Sequence, residues 1–245
     1  MRKNIFKLIY RFIIIVMIIA ACCLKTTHEN GEQIWFFTIQ TNIFVAILNG
    51  FLIVDQVLIF CHKKPVFEPT AIFAKLRILV TFFITITCLI YCFVLAPAGM
   101  IYNKTPFFTM FDLRNIILHI AVPVMAIVDY ILFGTKGYIS YKQTWIFLIY
   151  PIIYFIAVNL RVLFGGAPFV CNNSYYPYFF LDPHLENQGW GMIAIYISVI
   201  IVLFYGLASL YIYIDKKLQQ KQIKNNLKQQ KKAWIIRLFL FVIYL

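Results

Sequence analysis

Apolar residues along this chain fall into six long, unbroken stretches separated by short polar or Pro/Gly-containing segments. The stretches cover about 5–24, 34–61, 72–102, 113–133, 144–164 and 191–214, each near or above the roughly 20 residues a helix needs to cross about 30 Å of hydrocarbon. Inside lipid the backbone must satisfy its own hydrogen bonds, which leaves helices or a closed barrel. Runs such as IFKLIYRFIIIVMIIAACCL lack the alternation of barrel strands. The pattern therefore predicts an all-α, polytopic membrane protein. Residues 1–214 form a six-helix transmembrane domain, 215–233 a basic cytoplasmic segment, and 234–245 an apolar tail too short to span, which should lie in the interface.

Composition sharpens this reading. The 245 residues are 62% hydrophobic and 13% charged, with a mean hydropathy of +0.83. So few charges cannot clothe a water-soluble globule, which carries about 25%. The net charge of +13 would suggest nucleic acid in a soluble protein. Its placement says otherwise: four Lys/Arg lie in the N-terminal flank, four in 62–77, two in 134–143 and eight in the C-terminal tail, 18 of 22 on one side. That side is the cytoplasm by the positive-inside rule, so both termini are expected there, in a multi-pass protein of the plasma membrane. Lys25, Lys104, Arg114 and Arg161 stay outside with five acids, Glu29, Glu32, Asp112, Asp182 and Glu186. The basic excess then serves anionic lipid, and no nucleic-acid partner is expected.

The first stretch, with a basic start and Ile19-Ala20-Ala21-Cys22, looks like a lipoprotein cleavage box. It is long enough to span, so we expect it to be retained. Cysteines 22, 23, 61, 88, 92 and 171 form no CxxC pair, and the histidines at 28, 62, 119 and 184 fall in separate segments. Neither a disulfide framework, a metal nor an organic cofactor is expected.

Ionisable and polar groups within spans cost at least ~2.5 kcal/mol each if charged at mid-span, so each calls for a partner or a purpose. In the second span Thr38 and Asn42 lie one turn apart on one face, continued by Asn49; in the fourth, Asn115 and His119 share a face, with Pro123 a turn further in. Counted from the outer ends, Thr38 and His119 lie at ~6 and ~9 Å. A hydroxyl and an imidazole at one depth are the minimum for nucleophilic acyl transfer. The same residues also suit a plainer role, a Thr bonding a backbone carbonyl and a His joining two helices. Asp55 and Asp129, near the inner ends of their spans, are expected to pair with Lys75 and Arg77. Arg161 and Arg114, near outer ends, either snorkel or hold a carboxylate. The outer loop 165–190, GGAPFVCNNSYYPYFFLDPHLENQGW, reads as an ordered aromatic cap, either a lid or a plain interfacial belt.

Several motifs taken in order carry a resemblance: Phe36-Phe37-Thr38-Ile39-Gln40-Thr41-Asn42, His119-x3-Pro123-x5-Asp129-Tyr130, Tyr150-Pro151-x2-Tyr154, and Tyr175-Tyr176-Pro177-Tyr178-x2-Leu181-Asp182-Pro183. Together they resemble bacterial six-span proteins that look like distant relatives of the androgen-induced (FAR-17a type) intramembrane threonine hydrolases. The resemblance implies hydrolysis of fatty acid esters, with Thr38 as nucleophile and His119 as base, and Thr41 as the alternative nucleophile three residues on. Asn42 or Asn115 would orient the groups or support the oxyanion, and Arg161 or Arg114 would hold a substrate carboxylate. The rival reading is a non-enzymatic membrane protein that binds or transports a small lipid or solute; a third is an assembly partner whose polar residues only join helices. No repeat relates spans one to three to spans four to six, which weakens the transporter version.

Overall fold

A computed structural model describes residues 2–23, 32–101, 104–169, 172–185 and 188–243. Lys25, His28, Glu29, Cys171 and Glu186 lie outside the described residues. Among the described residues six helices are long and apolar enough to cross a membrane. We label them α1 (Arg2–Cys23), α2 (Phe37–Phe60), α3 (Ala71–Ile101), α4 (Leu113–Phe133), α5 (Ile146–Leu163) and α6 (Gly189–Ile243). The described residues contain no strand beyond a single bridge between Phe169 and Ser174. The all-α, polytopic architecture expected from the hydrophobic pattern is what the chain adopts.

Two packed regions share α2, α3 and α4. Ile14 and Ile18 of α1 pack with Val45, Ile84, Val122 and Ala126 in one. In the other, α5, α6 and the outer loop close over Phe37, Phe82 and Ile86, using Phe147, Tyr154, Tyr178 and Phe204. Phe82 meets Phe147 edge-on at 4.8 Å between ring centroids.

Two of the helices, α3 and α4, are irregular for one shared reason. A five-residue π turn occupies Tyr91–Leu95 of α3, and another occupies Ile117–Ala121 of α4. Each ends two residues before a proline, Pro97 and Pro123. Proline has no N–H for the carbonyl four residues back, here those of Phe93 and His119, and its ring crowds that carbonyl. In a bilayer the freed group must be re-satisfied locally, and a widened π turn is one way to do it. The consequence is a change in azimuth that aims Tyr91 and His119 at each other.

The end of the bundle opposite Thr38 is held by charge. Asp129 accepts from Arg11 Nε at 3.0 Å and from Arg77 Nη2 at 2.5 Å, and Arg77 Nη1 reaches Glu68 at 3.2 Å. All but Glu68 are nearly inaccessible. The expected pairing of Arg77 with Asp129 is present, joined by Arg11, one of the four basic residues of the N-terminal flank. Asp55 departs from expectation. It pairs with neither Lys75 nor Arg77, and instead accepts the backbone N–H groups of Val66, Phe67 and Glu68, fixing the turn between α2 and α3.

The last helix is longer than its apolar stretch. Beyond residue 214, α6 continues without a break through 215–233 to Ile243, about 80 Å of helix in all. This segment contains neither Pro nor Gly and is rich in Lys, Gln and Leu, all good helix formers. Asp215, expected among solvated residues, is buried. It accepts Tyr130 Oη–H at 2.6 Å and Gly137 N–H at 2.7 Å, tying α6 to the end of α4 and the loop that follows it.

Candidate active site

Thr38 sits in the first turn of α2, whose N-cap residue, Phe36, offers no side-chain bond to the free N–H groups there. His119 is the centre of the α4 π turn. Thr38 Oγ1 and His119 Nε2 are 3.2 Å apart, and both residues are more than nine-tenths buried. The other ring nitrogen, Nδ1, is 3.1 Å from the Asn115 carbonyl oxygen. A carbonyl only accepts, so Nδ1 carries the proton, Nε2 is the acceptor, and the Thr38 hydroxyl donates to it. Tyr91 stacks on the imidazole at 3.8 Å with a 20° interplanar angle, holding the ring in that orientation. Tyr91 is itself fixed by its hydroxyl bond to the Met110 carbonyl.

The polar residues singled out in the sequence divide by position. Asn42 Nδ2 donates to the Thr38 carbonyl at 2.8 Å and the Leu118 carbonyl at 3.1 Å, bracing the two helices at the level of the pair. Asn115 contributes its main-chain carbonyl; its amide donates to Met110 O at 3.0 Å. Thr41 turns away: its hydroxyl bonds Thr87 Oγ1 at 2.8 Å and the Thr38 carbonyl at 3.1 Å, with no link to His119. Asn49 continues the α2 stripe, donating to the Val45 carbonyl. Arg114 donates to the Ala21 carbonyl and to Gln33 Oε1, and lines a cavity with Thr38 and His119. Arg161 lines neither cavity that Thr38 borders. It staples the outer loop instead, donating to the Ala167 and Tyr175 carbonyls and lying 4.2 Å over the Phe169 ring.

Two cavities meet at Thr38. One, with about 570 Å³ of empty space, is walled by apolar groups that include Phe37, Ile86, Tyr154, Phe180 and Phe204. The second, about 750 Å³, carries the polar groups Gln33, Arg114, Asn115 and His119. Thr38, Leu95 and Tyr178 border both.

Tyr178 is a residue the sequence reading left without a role. Its ring lies between Phe36, edge-on at 5.8 Å, and Phe180, stacked at 5.2 Å. Burial pushes its phenol above the ordinary range, opposed by the polar groups of Thr38, Phe37 and Tyr154 beside it. The outer loop therefore folds onto the site, and its aromatic content is a wall as well as a belt. Among the described residues no three His, Cys, Asp or Glu side chains converge to hold a metal. Compared with known proteins, the chain matches no family model, no curated protein and no solved structure, so the reading of this site rests on its own geometry.

Proposed function

We propose that this membrane protein is an intramembrane hydrolase of lipid or fatty-acid esters that uses Thr38 as nucleophile and His119 as general base and acid. The observation that carries the reading is the 3.2 Å Thr38 Oγ1 to His119 Nε2 contact, with the ring tautomer fixed by the Asn115 carbonyl, at the meeting point of an apolar and a polar cavity.

Thr38 Oγ1 attacks the ester carbonyl as its proton passes to Nε2. The oxyanion of the tetrahedral intermediate is met by the uncapped N–H groups at the positive end of α2, where Thr38 borders both cavities. Collapse breaks the C–O bond, and the imidazolium returns its proton to the departing alcohol, leaving an acyl-threonine. Water, deprotonated by the same Nε2, then attacks the acyl carbon and releases the acid and Thr38. The acyl chain lies in the apolar cavity and the alcohol portion in the cavity bordered by Arg114, which suits an anionic or strongly polar leaving group. The motif resemblance to threonine hydrolases points to the same pair. Asn42 acts as a brace between the helices, and Arg161 as a staple of the cap.

The test is turnover of a fluorogenic long-chain ester in membranes by wild type, Thr38→Ala, His119→Ala and Thr41→Ala. Loss in the first two with retention in the third is expected. Equal turnover in all four refutes the mechanism, and absence of turnover with retained binding of an ether analogue supports the non-enzymatic reading.

A further inference from the structure

We propose that the seam between α3 and α6 is an acyl-chain site that opens sideways to the bilayer and continues past Phe204 into the apolar cavity at Thr38. It deepens the reading above by assigning a long-chain ester substrate, drawn from the surrounding membrane, and a route for its tail.

Outside the Thr38 cavity a second apolar groove of about 1050 Å³ runs along the seam, lined by Leu89, Phe93, Val202, Leu203, Gly206 and Leu210. It holds no charged group. Phe93 and Val202 are 75% and 70% exposed, which in a membrane means contact with lipid tails. Ile86, Ile90 and Phe204 line both the groove and the Thr38 cavity, so a single layer of side chains separates them. Ile86 and Phe204 are buried, and Phe204 leans edge-on toward Phe82 at 6.4 Å. Toward the end bearing the termini, the seam is pinned by the Thr85 to Tyr211 hydroxyl bond at 2.5 Å. The groove thus has a floor, an inner wall that meets the reactive cavity, and an open lateral side.

Gly206 marks the open side. A Cβ built there meets no atom within 4 Å. Glycine in mid-helix costs about 1 kcal/mol against alanine, so the gap it leaves is not needed for helix formation. An occupant of uniform hydrocarbon, flexible and narrow, fits a groove without polar groups; in a bilayer that occupant is an acyl chain. With its ester carbonyl at Thr38, a chain long enough to pass Phe204 lies along the seam and is not stopped by an end wall. Short esters fill only the inner cavity and lose the contacts of the groove.

The experiment uses full-length protein in phosphatidylcholine nanodiscs and a long-chain alkyl ether with a diazirine at its tail end, which cannot be hydrolysed. Photolabelling of Ile86, Ile90 and Phe204 that an excess of unlabelled ether competes away is expected. Gly206→Trp should lower it roughly tenfold, whereas Gly206→Ala and Thr41→Ala should leave it unchanged. Label that spreads over lipid-facing positions without competition, or that Gly206→Trp leaves unchanged, overturns the site. Labelling by the ether needs no hydrolysis, so a failure of the Thr38 and His119 chemistry would appear separately, as absent ester turnover of wild type with intact labelling.

Discussion

Replacing Pro123 by alanine should separate stability from chemistry at this site. The substitution restores an N–H for the His119 carbonyl and removes the ring that crowds it, so the cause of the π turn at Ile117–Ala121 is gone. Relaxing that turn to regular helix takes one residue out of the widened loop. At 3.6 residues per turn this rotates the preceding side chains by about 100° and shifts them by about 1.5 Å. A ring carried some 6 Å from the helix axis then moves by roughly 10 Å, far beyond the 3.2 Å contact with Thr38. The helix gains up to about 3 kcal/mol, offset by about 1 kcal/mol for the lost hydrogen bond and about 1 kcal/mol for the Tyr91 stack. Thermal stability in detergent should therefore hold or rise slightly. Ester turnover should fall by about 10² to 10⁴-fold, the usual worth of a positioned general base. Ring-nitrogen NMR signals of ¹⁵N-labelled histidine, assigned through His119→Gln, should lose the signature of an Nδ1–H tautomer. If turnover and the His119 signals both match wild type, proline does not set this turn and the geometric argument for the pair fails.

Other substitutions probe different parts of the molecule. Thr38→Val keeps the shape but leaves Nε2 unpartnered. It should abolish turnover at a cost of about 1–3 kcal/mol in unfolding free energy, while Thr41→Val, which loses the bonds to Thr87 and to the Thr38 carbonyl but none to His119, should retain turnover. Asp129→Ala strands Arg11 and Arg77 in the interior and should destabilise by about 3–5 kcal/mol, read as a lower thermal midpoint or failed membrane insertion. Lys136 lies in the loop after α4, where burial and Arg77 push its ammonium down to about 7 against the opposing pull of Asp215 and Asp129. Between pH 7 and the ordinary lysine range the unfolded chain holds a proton that the folded one has released, so stability should rise with pH there, by at most about 5 kcal/mol in all. Thermal midpoints at pH 7 and 9 test this, and Lys136→Met should flatten the difference.

What the sequence made legible follows from how directly each feature is written in residue order. Six spans are legible because lipid enforces a length and an apolar composition on every one. Thr38 and His119 could be paired by counting depth along two helices. Depth says nothing about azimuth, however, and azimuth separates Thr38 from Thr41, only three residues apart. The π turns set that azimuth for His119, and their cause was visible as Pro97 and Pro123, each two residues beyond the turn it produces. Tyr91 and Tyr178 were harder to find, because an aromatic at the membrane interface has the same composition whether it merely anchors a helix or walls a site. Tyr178 becomes distinct only when the loop carrying it folds over the unfilled N–H groups at the start of α2. Arg11 was concealed by the same one-dimensional view: it counts toward the basic flank of the first span, yet its partner is 118 residues away on α4.

The two ends of the bundle divide the work accordingly. Arg11, Arg77 and Asp129 join α1, α3 and α4 through an ion cluster whose disruption is costly in a dry interior. At the other end, α3 and α4 depart from regular helix, and the groups there are held by single hydrogen bonds and a ring stack, each worth about 1 kcal/mol. Strong fastening far from the site lets the reactive end accept two widened turns and a cavity without losing the fold. The Pro123 variant tests that division directly, since it exchanges the irregular turn for a regular one while leaving the ion cluster untouched. If the proposed Thr38 and His119 chemistry is built on that irregularity, the variant should be no less stable and much less active.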